Sequence, residues 1–487
     1  MKSSYSVCDL LNISDPVHAS LTVTDIALDS RQVSAGSLFI AIAGARQDGA
    51  AYIDQAVAQG ARVIVGERSR PDHLPPDIAY FQVESSRTAA AQIASRFFPR
   101  QPQTVVAVTG TSGKSSVVEF YRQLMDGLGE EAACLGTLGV ATGKGVDYGS
   151  LTTPDSIALH KILQSLSDEG IKFLAMEASS HGIEQSRLDG VRLKAAAFTN
   201  IGRDHLDYHK TEEAYIQAKL RLFTTLLPAD GSAVINLDGA HSGSFIDAAR
   251  ERKLNIITTG FKGQTLCLNK LDIDGFSQVL TVTSKEGCHQ ARLPLAGAFQ
   301  AENLLVACGL VMASRPETGF SALVPLIENL KGVKGRLERV GEINGALCIV
   351  DYAHKPDGLS QVLDTLRPFV KGRLICVFGC GGDRDKGKRP LMGRIAAQKA
   401  DKVIVTDDNP RSEDPSEIRK EILAGAPEAQ EIGNRHEAID FAVRQLLPGD
   451  ILIVAGKGHE TGQIVKDQII PFSDEDEIKK AIMEIRP

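Results

Sequence analysis

The stretch Thr104–Leu128, TVVAVTGTSGKSSVVEFYRQLMDGL, constrains this chain more than any other. Val105 to Val108 form a short apolar run of the kind buried on both faces of a parallel sheet. Gly110-Thr111-Ser112-Gly113-Lys114-Ser115-Ser116 interrupts it, and Val117, Tyr121, Leu124 and Leu128 then recur at helical spacing. A glycine loop between a strand end and a helix N-terminus presents free backbone N–H groups and the positive end of the helix dipole, which together hold phosphate oxygens. Lys114 can reach terminal phosphates there, and the Ser115 hydroxyl can ligate Mg²⁺. The usual loop of this kind begins with a glycine where this chain has Val108; the shorter TGTxGK[ST] form belongs to a narrower set of ATP users.

The 487 residues are enough for about three domains. A net charge of -7 gives no global field for nucleic acid or an anionic membrane, so an anionic ligand has to be held by local loops. The eight cysteines form no CxxC pair and several lie in apolar runs, which reads as small core residues in a reducing cytoplasm. No run approaches the length of a membrane span, and the expectation is a cytoplasmic protein that inserts into no membrane.

The fold class read from the pattern is α/β, with expected domains at 1–100, 101–333 and 334–487. In the first, strand-like runs at 38–42, 62–65 and 80–83 alternate with helical runs at 52–59 and 88–98. Leu28-Asp29-Ser30-Arg31 and Gln47-Asp48-Gly49 fall in its loops, where they read either as ordinary turns or as grips for a nucleotide or sugar. In the second, strand, loop and helix alternate, so polar clusters should gather at the carboxyl ends of a mostly parallel sheet. Two such clusters are Glu177-Ala-Ser-Ser-His181 and Thr199-Asn200 through Asp204-His205. Glu177 and His205 can complete a Mg²⁺ shell with Ser115, although oxygen donors are the norm and a capping or core role suits His205 as well. Thr152-Thr153-Pro154-Asp155 looks like a helix start, its hydroxyls equally able to grip a ligand. Lys219 sits on a helix among apolar neighbours, where a lysine ordinarily reaches out to solvent. Asn269-Lys-Leu-Asp272 matches a guanine-reading tetrapeptide but leads into a hairpin pattern and is read as coincidence.

In the last third, apolar runs at 348–350, 374–378, 403–406 and 451–455 each end in a polar loop. The loops are Asp351–Asp357, Gly379–Arg389, Asp407–Arg411 and Gly456–Glu460. The second lacks the third glycine of a dinucleotide fingerprint, where Arg384 stands, and the fourth lacks the second histidine of a zinc HExxH, where Gln463 stands. Basic and amide groups on successive strand ends suit an anionic ligand.

Taken together, TGTSGKS, MEASSHG, NIGRDHLDYH, AKLRLF, GAFQAENLLVA, GRLERV, DYAHKPD, GCGGDRDKGKRP, DDNPR and AGKGHE resemble the Mur ligase family from about Asp29 to Glu460. The resemblance implies a small UDP-binding domain, a central P-loop ATPase domain and a C-terminal Rossmann-like domain. It implies an ATP-dependent amide ligase of peptidoglycan synthesis, with UDP-MurNAc-L-Ala-D-Glu, meso-diaminopimelate and ATP as substrates, two Mg²⁺ ions, no nucleic acid partner, and a monomer. On this resemblance Leu28, Ser30, Gln47, Asp48 and Gly49 hold the UDP part, and Thr152, Thr153, Ser179, Gln185 and Arg187 the muramoyl dipeptide. Gly110 to Ser116 bind ATP, with Asn303 near the base, Arg336 at the phosphates and Asp351 at the ribose. Lys114, Lys219 and His205 are the implied catalytic residues, Lys219 as a carbamate that shares the metals with Ser115, Glu177 and His205. Arg384, Asp408, Asn409, Pro410, Arg411, Gly456 and Glu460 match the amino-acid site. Ser112 stands where the family usually has Asn, and Ser115 where it usually has Thr. A sister ligase that adds L-lysine, a folylpolyglutamate synthetase and a P-loop switch that binds nucleotide without making a bond are the alternatives; the N-terminal UDP domain argues against the second.

Overall fold

The computed structural model describes residues 4–44, 48–147, 149, 151–202 and 204–485, so Gln47 and Arg203 lie outside the described residues. The chain divides into two units. The first comprises Met1–Asn269, Thr281–Gln290 and Glu302–Ile327, and the second Lys270–Leu280, Ala291–Ala301 and Glu328–Pro487.

The first unit opens with four parallel strands in sequential order, β1 (Asp25–Ala27), β2 (Ser37–Ile40), β3 (Val63–Gly66) and β4 (Ala79–Gln82). Side chains alternate across a strand. Accordingly Leu38, Ile40, Val63 and Val65 enter the core on one face, against helix α1 (Ser86–Phe97), while Phe39 and Ile64 enter the core on the other. The expected boundary near residue 100 falls inside this unit. Gln101 is buried there, donating to Gly190 O (2.9 Å) and accepting from Arg192 N (3.0 Å).

Beyond it runs a second sheet built on β5 (Thr104–Thr109), every residue of which is buried. Its neighbours are β6 (Ala132–Gly136), β7 (Phe173–Glu177), β8 (Leu193–Phe198), β9 (Ser232–Asn236) and β10 (Asn255–Gly260), in the spatial order β6-β7-β5-β8-β9-β10 and all parallel. An antiparallel hairpin, Gly139–Thr142 with Gly145–Asp147, extends the β6 edge. Helix α2 (Lys114–Gly127) follows β5 and buries Val117, Tyr121 and Leu124, the stripe its spacing predicts. Asp155 is the N-cap of α3 (Ser156–Asp168), accepting from Ala158 N at 2.9 Å, and so stands one residue ahead of the first turn expected for it. Asn269 and Asp272 lie within a strand, Leu266–Asp274, and not on a base-reading loop.

The second unit holds a six-stranded sheet. Its strands are β11 (Glu338–Ile343), β12 (Ala346–Asp351), β13 (Leu374–Phe378), β14 (Lys402–Val405), β15 (Gln430–Glu431) and β16 (Ile451–Ala455), ordered β11-β12-β16-β13-β14-β15 with only β11 antiparallel. Alternation again splits the core: Ile349, Cys376, Phe378 and Ile453 pack on one face, and Cys348, Val350, Ile375, Val377 and Val454 on the other. Four adjacent parallel strands therefore bring the four polar loops to one edge. Five of the eight cysteines are buried. Among the described residues no helix is long and apolar enough to cross a membrane.

Candidate active site

In the first unit the site grows from the register of the sheet. Glu177 pairs with Val108 across β7 and β5, and Phe198 with Thr109 across β5 and β8. The loop after β5 therefore rises between the ends of its two neighbours. Gly110 (φ +148°) and Gly113 (φ +88°) turn it, and a Cβ on either would overlap Thr199 Oγ1 or Asn303 Oδ1. Thr111 N donates to Asn200 O (2.8 Å) and Ser112 N to Asn200 Oδ1 (3.1 Å), while Thr199 Oγ1 donates to Ser112 O (2.6 Å). The first helical bond runs from Val117 N to Gly113 O, so the first turn of α2 begins at Gly113. N–H groups at the positive end of a helix make an anion cradle.

The Ser115 hydroxyl donates to Glu177 Oε1 at 2.8 Å, and Glu177, only 2% exposed, also accepts from Thr137 N (2.9 Å) and Thr137 Oγ1 (3.3 Å). A hydroxyl beside a buried carboxylate is an oxygen set of the sort a hard divalent cation takes. Lys114 Nζ donates to the carbonyls of Gly110 and Thr111, each at 3.0 Å.

Lys219 departs from the solvent-reaching lysine expected of its sequence context. It lies on the buried stripe of α4 (Glu212–Arg221) with Tyr215, Ile216 and Leu220, and is 1% exposed. Its Nζ donates to Gly110 O at 2.8 Å and stands 4.5 Å from the centre of the Tyr215 ring. Burial, and then the neighbouring Lys114, hold its ammonium well below the ordinary lysine range. The Tyr215 hydroxyl, within 3.0 Å of Thr111 Oγ1, is pushed up to about 12 by burial. His205, with φ +53°, has its ring 4.8 Å from that of His181 and its Nε2 3.5 Å from Asp204 Oδ2. Among the described residues no three His, Cys, Asp or Glu side chains gather as a metal cluster.

Beside Glu177, the Thr153 hydroxyl donates to Glu177 O (3.0 Å) and accepts from Ser179 N (3.1 Å). Arg187 donates to Thr153 O (2.6 Å) and to Gln185 Oε1 (2.8 Å), and Gln185 Nε2 donates to Tyr208 Oη (3.0 Å). Thr152 Oγ1 is 3.1 Å from Thr137 Oγ1. The dipeptide residues named from the resemblance are thus one hydrogen-bonded group. Asn303 is 5% exposed, and among the described residues its buried Nδ2 has no partner.

Nearer the N-terminus, Ser30 is buried and donates to Gln55 Oε1 (2.9 Å). Asp48 caps a short turn through Ala50 N (3.0 Å) and pairs with Arg68. Gly49 N donates to Ile42 O (2.9 Å), and Leu28 is half-buried.

In the second unit, Asp351 is 6% exposed, and its two oxygens accept from Leu337 N (2.7 Å) and Ala353 N (2.8 Å). Burial raises its carboxyl above the usual range. Its position sets the backbone of the 335–337 and 351–353 loops. The Arg336 guanidinium lies 4.8 Å from the centre of the Tyr352 ring. Arg384 is exposed on the Gly379–Arg389 loop. Arg411, with φ +51°, donates from Nη1 to Gly382 O at 2.8 Å. Asp408, Asn409, Pro410 and Gly456 are buried, and Glu460 is half-buried.

Thr137 and Tyr215 were not legible as functional; with Thr199 and Asn200, from the polar cluster after β8, they brace the nucleotide loop. Arg389, with no exposed side-chain surface, ties Glu413 (2.9 Å), Glu421 (2.8 Å) and Gly381 O (3.3 Å) together. For Tyr215 the signal was available, since it falls on the same helical stripe as Lys219.

Comparison with known proteins gives the chain its family. Residues 22–98 match the Mur ligase family catalytic domain, 108–311 the Mur ligase middle domain and 335–458 the Mur ligase glutamate ligase domain. The chain belongs to the Mur ligase family. It is 52% identical to the UDP-N-acetylmuramoyl-L-alanyl-D-glutamate--2,6-diaminopimelate ligase of Bradyrhizobium diazoefficiens, over 96% of each chain. It is 51% identical to the protein of that name from Rhizobium meliloti, over 95% of each. A solved structure of a ligase with this name superposes with a TM-score of 0.75 at 33% identity, over 99% of both chains.

Proposed function

We propose that the chain is an ATP-dependent ligase that joins meso-2,6-diaminopimelate to the D-Glu γ-carboxylate of UDP-N-acetylmuramoyl-L-alanyl-D-glutamate. The observation that carries this reading is the name shared by relatives 52% and 51% identical over nearly the whole chain. The anion cradle of the P-loop supplies the chemistry the name requires.

On this reading the domains are 1–100, 101–333 and 334–487, with the UDP part held by Leu28, Ser30, Gln47, Asp48 and Gly49. Thr152, Thr153, Ser179, Gln185 and Arg187 orient the dipeptide. The N–H groups of Gly113 to Ser116 hold the triphosphate of ATP, with Asn303 at the base and Arg336 and Asp351 at the phosphates and ribose. Lys114 leaves its two loop carbonyls to neutralise charge on the γ-phosphoryl group as that group moves to the substrate carboxylate. ADP departs, and the acyl phosphate carbon is attacked by the diaminopimelate amine. The tetrahedral intermediate expels phosphate, and the amine's proton goes to solvent.

Ser115, Glu177, His205 and carbamylated Lys219 would hold two Mg²⁺ ions, which when bound offset the charge on the transferring oxygens. Lys219 suits its part because burial favours the neutral amine, the form whose nitrogen adds to CO₂ to give a carbamate and a proton. Arg384, Asp408, Asn409, Pro410, Arg411, Gly456 and Glu460 form the amino-acid site. The enzyme works as a monomer in the cytoplasm. The test is ATP-dependent phosphate release with a panel of amino acids. Release should require both the nucleotide dipeptide and diaminopimelate. Release without either would make the protein a nucleotide switch, and equal use of L-lysine would make it the sister ligase.

A further inference from the structure

Beneath the 408–411 and 456–460 loops lies a lysine with no exposed side-chain surface. Lys457 Nζ donates to Asn409 Oδ1 and to Gly462 O, each at 2.8 Å, and stands 3.6 Å from Asp408 Oδ1 and 3.5 Å from Glu460 Oε2. Asn409 Oδ1 accepts a second bond from Ile464 N (2.9 Å), and its Nδ2 donates to Glu460 Oε2 (2.9 Å). The oxygen of the Asn409 amide is thus saturated within the protein, and only one N–H remains for a ligand. This amide links the buried ammonium to Glu460, whose side chain is 33% exposed whereas that of Asp408 is 8% exposed.

Alongside, Arg435 on α5 (Arg435–Arg444) is buried against Asp474 of α6 (Asp474–Ile485), at 2.7 and 2.8 Å. The same guanidinium donates to Ala455 O (3.0 Å) and Asp407 O (3.3 Å), the backbone on which the two loops begin. Asp407 is itself paired with Arg419. In the cluster that remains, Arg435 pairs with Asp474, and Lys457 lies within ion-pair distance of both Asp408 and Glu460. Glu460 is the exposed one. Burial pushes the Lys457 ammonium down, and Asp408 and Glu460 pull it back toward the charged form.

We propose that Lys457 is a positioning residue of the amino-acid site, acting through Asn409 on Glu460. Lys457 does not touch the substrate. Its ammonium aligns the Asn409 amide, and that amide fixes the rotamer of Glu460. The inference rests on the ligase reading above and deepens it.

The test is steady-state kinetics of the full-length enzyme carrying Lys457→Gln, Asn409→Ala, or both. Lys457→Gln should raise KM for diaminopimelate about tenfold or more, while KM for ATP and for the nucleotide dipeptide stays within about twofold. The double variant should be no worse than the poorer single one, because both changes break one relay. Should Lys457→Gln fail to fold, Lys457→Met, close to lysine in length, takes its place: KM for diaminopimelate alone should rise, and an unchanged value would overturn the role of Lys457. Additive losses, or a parallel rise in all three KM values, would overturn the relay. A parent enzyme that ligates no amino acid would instead refute the functional reading.

Discussion

Replacing Arg411 by alanine should collapse discrimination between diaminopimelate and L-lysine. The two differ by a carboxylate on the far carbon, which a guanidinium grips with two parallel hydrogen bonds. Arg411 is free for that duty because the acids beside it are engaged elsewhere. Glu413 accepts from Arg389 (2.9 Å) and from Asp383 N (2.6 Å), and Asp414 caps the next helix through Ser416 N (2.8 Å). Among the described residues, one of the five Arg411 guanidinium N–H donors is used, by Gly382 O at 2.8 Å. A charged bond of this type contributes roughly 1.5–3 kcal/mol, and leaving its partners unpaired costs about 1–3 kcal/mol more. A sum near 4 kcal/mol corresponds to about 10³-fold in kcat/KM. The assay is kcat/KM for both amino acids in the parent, Arg411→Ala and Arg411→Lys. The parent should prefer diaminopimelate by about 10³, alanine should remove most of that preference, and lysine should restore part of it through charge without the planar fork. A ratio unchanged by Arg411→Ala would refute the assignment.

Lys114→Ala should cut turnover by at least about 10²-fold with an unchanged Tm, since its bonds to two loop carbonyls are local; activity within about tenfold of the parent would remove it from phosphoryl transfer. Protein equilibrated with ¹³C-bicarbonate should show a carbamate carbon resonance that Lys219→Ala lacks, and that inactive variant should regain some activity with short carboxylates; an identical spectrum would exclude the adduct. His160 is fully buried, its Nδ1 without a partner among the described residues and its Nε2 3.3 Å from Asp189 O, and burial lowers its pKa from 6.5 to about 4. Between those values the unfolded chain binds a proton that the folded one refuses, so stability is lost as pH falls through this window, by roughly 3 kcal/mol in all. Urea midpoints against pH should show that slope in the parent and a flatter one in His160→Gln; parallel slopes would contradict it.

The strands and the nucleotide loop were readable because their signals are local. An apolar run followed at once by a polar loop marks a buried strand end wherever it occurs, and β13 and β16 match the runs at 374–378 and 451–455 residue for residue. Asp29 and Asp48 do the turn work such residues ordinarily do, each capping a short helix. What stayed hidden depends on partners distant in sequence. Lys219 reads as a surface lysine until α4 is seen to press it against Gly110 O, and no local signal tells that the Asp351 oxygens accept from two backbone amides. The burial of Arg389, Arg435 and Lys457 was hidden for the same reason: charged residues are rarely fully buried unless paired, and their partners come from other loops and helices.

The central claim is γ-phosphoryl transfer from ATP to the substrate carboxylate, and an isotope experiment tests it most directly. The nucleotide dipeptide is labelled with ¹⁸O in the D-Glu γ-carboxylate and turned over with ATP and diaminopimelate. Expulsion of phosphate from the tetrahedral intermediate must carry one carboxylate oxygen with it, so each released phosphate should contain one ¹⁸O and the new amide carbonyl should keep the other. Label appearing in AMP, or unlabelled phosphate formed alongside the amide, would contradict the account.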